Sequence, residues 1–172
     1  RDWLREIPFP VRFEQYQNRN YWFSFPPHAW ENLEGFDHVD AWKELPIFSE
    51  SGVVPYVENV CRQFDALLSC YGYVRHGRYF ELLPGRSDTV LALFCHQGLE
   101  TALAAHLCGV PMPMLWNTTM APTSSVTTFV MDQIRPDEPV AVPRMLSFGD
   151  TGHLYAAGEP VNWRGLHHGI TP

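Results

Sequence analysis

The sequence predicts an α/β domain built on a mostly parallel sheet with helices on both faces. Three observations lead there. Val90-Leu91-Ala92-Leu93-Phe94-Cys95 is a continuous apolar run, the pattern of a parallel strand buried on both sides. The run passes through His96-Gln97-Gly98 into a helix-patterned stretch from about Leu99 to Leu107, closed by Gly109 and Pro111. Upstream, Val57, Val60, Cys61, Phe64, Leu67 and Leu68 recur at helical spacing between Pro55 and Tyr71. With 172 residues, 45% of them hydrophobic, the chain is long enough for one such domain with a real core.

Taken in order, Arg1 to Ile7 reads as the end of an element, stopped by Pro8 and Pro10. Residues 11–50 sustain no period, and aromatics alternate there with Asn, Pro and Gly. The expectation is a cap or lid region with at most a short helix near Ala29–Leu33 or Val39–Leu45. Trp22, Trp30 and Trp42 fall in this region and are expected to fill the cap's own core. Pro55 suits the first turn of the helix that follows, and Gly72 suits its stop. Tyr73-Val74-Arg75 and Arg78-Tyr79-Phe80 flank His76-Gly77 and predict a β-hairpin with His76 exposed at its tip. After the helix at 99–107, Ser125–Met131 and Pro143–Phe148 predict two antiparallel strands. A loop is expected at Gly149–Leu154, with His153 anchoring it by hydrogen bonds. The whole is expected to be one partial domain over residues 1–172, with its core at 55–158.

The charge restricts the partners. Twelve Lys and Arg against 19 Asp and Glu give a net charge of -7, which argues against nucleic acid and against an anionic membrane surface. No apolar run is long enough to span a bilayer. Cys61, Cys70, Cys95 and Cys108 show no C-x-x-C spacing and sit among apolar residues. They read as buried free thiols of a reducing compartment, which implies a cytoplasmic protein. The isolated pair His167-His168 and the group Cys95, His96, His106 and Cys108 lack recognised metal spacing.

The chemistry concentrates around His96. A strand that delivers a histidine and a glycine to the start of a helix creates an anion site: the first helical N–H groups lack intrahelical partners, and the helix dipole adds to them. There His96 can donate to a phosphoryl oxygen, while Gln97 and Gly98 let the backbone approach it. On spacing alone the same residues also fit an ordinary strand-to-helix junction with a hydrogen-bonded histidine.

Leu93-Phe94-Cys95-His96-Gln97-Gly98, followed by Ala102-Leu103, Ala105-His106-Leu107 and Gly109-Val110-Pro111, resembles the second-histidine motif of the histidine phosphatases, the phosphoglycerate-mutase-like group. Trp116, Ala121 to Phe129, and Asp150-Thr151-Gly152-His153-Leu154 follow in the order that family shows, so the resemblance covers roughly residues 55–158. Gln97 stands where the family more often has glycine. Leu4-Arg5-Glu6-Ile7 is similar to the family's Leu-x-Glu motif, with Pro8-Phe9-Pro10 where a glycine is usual. The resemblance implies a phosphomonoester phosphatase acting through a phosphohistidine, with a small phosphorylated substrate and neither cofactor nor metal. It makes His96 the charge stabiliser, Glu6 the acid/base, and His96, Gln97 and Gly98 the phosphate contacts. Arg75-His76-Gly77 spells the family's nucleophile signature but falls on the hairpin, after Glu6 and too close to His96. The resemblance therefore implies that the nucleophile-bearing strand and its helix lie before Arg1. Two other readings stay open: a non-catalytic phosphate-binding or interaction module, and a cysteine hydrolase using Cys95.

Overall fold

A computed structural model describes residues 2–22 and 24–163. His167 and His168 lie outside the described residues. The chain opens with a 3-10 turn, Asp2–Leu4, and a two-stranded antiparallel ribbon, β1 (Val11–Arg12) with β2 (Asn20–Tyr21). Short helices follow at α1 (Pro27–Trp30) and α2 (Pro46–Ser49), each with proline in its first turn, and a 3-10 turn lies between them at Ala41–Glu44. The region expected to be an irregular cap is thus a chain of single turns around an aromatic cluster that it shares with Val57, Ala102, Ala105, Met112 and Trp116. Phe13, Phe25, Phe36, Trp42 and Phe48 are buried together, Trp30 stacks on Phe36 at 5.0 Å, and Trp22 alone of its three tryptophans is exposed.

Two long helices organise the rest. The first, α3 (Val53–Ser69), buries the predicted stripe: Val57 faces the aromatic cluster, while Val60, Phe64, Leu67 and Leu68 face a second one. A hairpin follows, β3 (Tyr73–His76) and β4 (Tyr79–Leu82), paired His76 to Tyr79 across Gly77, whose positive φ of 62° the tight turn requires. His76 is exposed there, stacked on Tyr79 and bonded to Glu81 at 3.0 Å. The second long helix, α4 (Gln97–Cys108), ends on Gly109 in the left-handed conformation. A helix absent from the expectations, α5 (Met112–Thr118), starts one residue after Pro111. The chain then forms β5 (Val126–Asp132), β6 (Val140–Asp150) and α6 (Gly152–Ala157), the last in place of the expected loop. His153 is exposed on α6 and anchors nothing among the described residues.

The predicted parallel sheet with helices on both faces is overturned. Among the described residues the strands form two small sheets, the ribbon and a four-stranded sheet of order β3-β4-β6-β5, and every pairing is antiparallel. The helices cover one face only; on the other, Val126, Val130 and Leu146 stand in solvent.

The run Val90–Cys95, expected to be the buried central strand, is not a strand. Leu91, Leu93 and Cys95 pack against the cluster of Val60, Phe64, Leu99 and Leu103, whereas Val90 is 92% and Phe94 90% exposed. Such alternation is that of an extended chain with one covered face. From Asp88 to Cys95 no backbone N–H or C=O has a hydrogen-bond partner among the described residues. A buried central strand is hydrogen-bonded on both sides, and this segment has no paired neighbour among the described residues. The thiols need a similar correction. All four are free, but Cys61 and Cys95 are only partly buried, and Cys70 and Cys108 are exposed. No helix among the described residues is long and apolar enough to cross a membrane.

One ionic cluster ties α3, β3 and α4 together. Asp65 accepts from Arg75 Nε at 2.8 Å and lies 2.9 and 3.0 Å from His106 Nε2. Arg75 Nη1 also donates to the Gly77 carbonyl at 3.0 Å, and the guanidinium sits 4.4 Å over the Phe80 ring, a cation–π contact. Burial works to raise the Asp65 carboxyl, but the bonds from His106 and Arg75 outweigh it and hold the group below its ordinary value.

Two outcomes follow for stability. Phe48 is fully buried between Phe25, Phe36 and Trp42, so Phe48→Ala leaves a cavity costing about 3–5 kcal/mol by chemical denaturation. Asp65, with its lowered pKa, contributes stability that is present above the unfolded carboxyl value of about 4 and is lost as pH falls through the folded one. Asp65→Asn is expected to cost about 1–3 kcal/mol at pH 7. Its deficit relative to the unaltered chain should shrink in denaturation curves taken below about pH 4.

Candidate functional site at the start of α4

The N-terminal end of α4 gathers residues from three parts of the chain. The 3-10 turn at Asp2–Leu4 is pinned to α3 where the Tyr56 hydroxyl donates to the Arg5 carbonyl at 3.1 Å. Ile7 is buried in the aromatic cluster and Phe9 packs edge-on to Tyr56, so the Pro8-Phe9-Pro10 stretch leaves the site in one direction. Glu6 is thereby turned toward α4. Its Oε2 accepts from the Gly98 N–H and its Oε1 from the Leu99 N–H, both at 3.1 Å and across more than ninety residues of sequence. Oε1 also accepts from the Ile7 N–H at 2.8 Å. A carboxylate beside otherwise unpartnered helix N–H groups is favoured by both hydrogen bonding and the helix dipole.

The structure therefore brings Glu6 and His96 to one helix end, and it gives Gly98 a different task from the expected one. The Gly98 N–H is occupied by a protein carboxylate. A Cβ on Gly98 would stand 2.7 Å from Glu6 Oε1, so the close approach itself requires glycine. The Gly98 carbonyl accepts from Trp116 Nε1 at 3.1 Å, which ties α5 to the same turn. Gln97 opens the helix and its carbonyl accepts from the buried Thr101 hydroxyl at 2.8 Å.

His96 is the N-cap residue, with extended backbone (φ -119°, ψ 161°) and an exposed ring that has no hydrogen-bond partner among the described residues. It follows the unpaired apolar segment directly. Burial, then the charges of Glu100 and Glu6, push the Cys95 thiol up to about 11, so the thiolate is scarce at neutral pH. Glu100, one turn beyond His96, escaped the sequence reading. Burial raises its pKa, opposed by a hydrogen bond with Thr127 of β5. Its signal was the spacing of four from His96, which sets both on one side of the first turn. The corner thus holds two carboxyls, an imidazole and a thiol. That is a set able to exchange protons with a ligand. Among the described residues no group of three or more His, Cys, Asp or Glu is arranged to hold a metal ion.

Compared with known protein families, with curated proteins and with solved structures, the chain matches none.

The Glu6–Gly98 contact predicts a reversal of sign. Gly98→Ala displaces the Glu6 carboxylate and loses its charged hydrogen bonds, a destabilisation of about 1–3 kcal/mol. In a Glu6→Ala background the obstruction is gone. Gly98→Ala should then stabilise by up to about 1 kcal/mol, the helix-propensity gain of alanine over glycine. A double-mutant cycle in urea measures both arms.

Proposed function

We propose that this chain is the larger part of a histidine phosphatase domain. On this reading it hydrolyses small phosphomonoesters in the cytoplasm through a phosphohistidine whose histidine lies outside the chain. The single observation that carries the reading is the segment Asp88–Cys95. It is an extended apolar run with both backbone edges open, and it ends on His96 beside Glu6. Both edges suit an incoming strand, and a strand laid along it would end near the same corner. A nucleophile carried on that strand would meet its substrate there.

The chemistry on this reading has two steps. A histidine nitrogen attacks phosphorus, an N–P bond forms and the ester P–O bond breaks, and the leaving oxygen takes its proton from Glu6. Water then attacks phosphorus, Glu6 takes the water proton, and the N–P bond breaks to release phosphate. The His96 ring stabilises charge on the non-bridging oxygens in both steps. The Gly98 N–H is held by Glu6, so within the expected set of phosphate contacts the His96 ring and the Gln97 N–H remain for the phosphoryl group. A second reading, a non-catalytic phosphate-binding or interaction module, draws on the same open segment, because a partner's strand could occupy it without chemistry. A cysteine hydrolase using Cys95 is disfavoured by the elevated thiol pKa.

The test compares residues 1–172 with the polypeptide that also carries the residues encoded before Arg1. The longer protein is expected to hydrolyse an aryl phosphate and to form an acid-labile phosphoenzyme. His96→Ala and Glu6→Gln should each lower kcat by about a hundredfold or more, while His76→Ala leaves it unchanged. Residues 1–172 alone should be inactive. Turnover by residues 1–172 that His76→Ala abolishes would contradict the reading, and an inactive longer protein that still binds phosphate would favour the module.

A further inference from the structure

A concavity lies away from the start of α4. It is a cavity of about 680 Å³ bounded by α3, the β3–β4 hairpin, the C-terminal half of α4 and the turn at residues 39–43. Its size is that of small-molecule sites. The interior is apolar, formed by Trp42, Val57, Ala102, Ala105 and Met112. The polar wall is the Asp65–Arg75–His106 cluster, whose members bond to one another while the buried Arg75 Nη2 has no partner among the described residues. The remaining charges are unequal. Asp40 and Glu58 both meet Lys43, at 3.2 and 3.6 Å, and Asp65 meets Arg75. That leaves Arg62 and Arg78. Arg62 bonds only the neutral Asn59 side chain, at 2.9 Å, and Arg78 has no ion pair among the described residues. The Arg78 side chain passes beside Gly109: a Cβ on that glycine would lie 3.6 Å from the Arg78 Cδ. Two guanidinium groups without an ion pair among the described residues thus edge a cavity whose floor is apolar.

We propose that this cavity binds a small molecule with an apolar body and an oxyanion end, the anion bridging Arg62 and Arg78. Guanidinium groups present paired N–H donors that match phosphate and carboxylate oxygens, and the apolar interior favours a ring or short alkyl body over a free ion. The oxyanion can belong to a phosphate ester or to a carboxylic acid. The site is independent of the phosphatase reading. His106 and His96 are ten residues apart on and beside α4, roughly 15 Å along the helix axis, and no residue around His96 lines the cavity.

Residues 1–172 labelled with ¹⁵N are titrated with phenylphosphonate, which cannot be hydrolysed, with benzoate, and with neutral benzyl alcohol. Saturable shifts are expected at Cys61, His106 and Gly109 with the two anions. The variant Arg62→Ala with Arg78→Ala, in which both altered side chains are exposed, should keep the melting temperature and weaken binding tenfold or more. Tighter binding of phenylphosphonate points to a phosphate ester, and tighter binding of benzoate to a carboxylic acid. Benzyl alcohol binding as tightly as the anions, undiminished binding in the double variant, absence of saturation at tens of millimolar, or shifts centred on His96 and Gly98 would each overturn the proposal.

Discussion

α4 is buried nearly all round, and the rest of the structure is arranged by that constraint. Leu99, Leu103 and Leu107 fill the cluster shared with α3, while Ala102 and Ala105 fill the aromatic cluster beneath the N-terminal region. Unpartnered N–H groups at the start of so buried a helix are costly, and a protein carboxylate satisfies two of them. Glu6 supplies acceptors at the N-terminal end, and the left-handed Gly109 turns the chain at the other. The 3-10 turn at the start of the chain, the Tyr56 hydroxyl bond to Arg5 and the path set by Pro8 and Pro10 all serve to deliver that one carboxylate. The small side chains Ala102, Ala104 and Ala105 let neighbours approach the helix closely, which is how one helix closes two cores.

The same constraint explains why the site sits where it does. His96 is the last residue before α4, and the segment leading to it is covered on one side only. Leu91, Leu93 and Cys95 rest on the cluster while Val90 and Phe94 stand free. β5, at the edge of the four-stranded sheet, places Phe129 and Met131 on that same cluster and touches Glu100 through Thr127. An apolar extended segment and a sheet edge thus border one apolar surface. Exposed edges of this kind are templates for another strand.

What could be read from the sequence divides by range. α3, α4 and the β3–β4 hairpin were legible because their periods, prolines and glycines act within a few residues. The antiparallel pair β5–β6 was legible as a β-branched run and a second strand around a turn, and Pro143 is tolerated in β6 because its short pairing with β4 ends at Ala141. α5 was missed because Gly109 and Pro111 read as a stop, although proline in a first turn, here Pro113, starts a helix as readily as it ends one. The run Val90–Cys95 was misread for a deeper reason. An apolar hexapeptide has the same composition whether or not strands flank it, and pairing is a property of distant segments. Glu6 was found through a local motif, but its part as the cap of α4 lies ninety-two residues away. The Asp65–Arg75–His106 cluster likewise depends on separations of ten and forty-one residues, which no local pattern encodes.

The open edges of Asp88–Cys95 underlie both the corrected fold and the proposed chemistry, and native-state amide hydrogen exchange probes them directly. Amides without a hydrogen-bond partner exchange without waiting for an opening event, whereas those inside packed helices wait for local or global unfolding. In residues 1–172, the amides of Thr89 to Cys95 should exchange near the unprotected rate while those of the interiors of α3 and α4 exchange many orders of magnitude more slowly. Protection of Leu91, Ala92 and Leu93 equal to that of α4 would mean that the segment is paired, and would contradict the account.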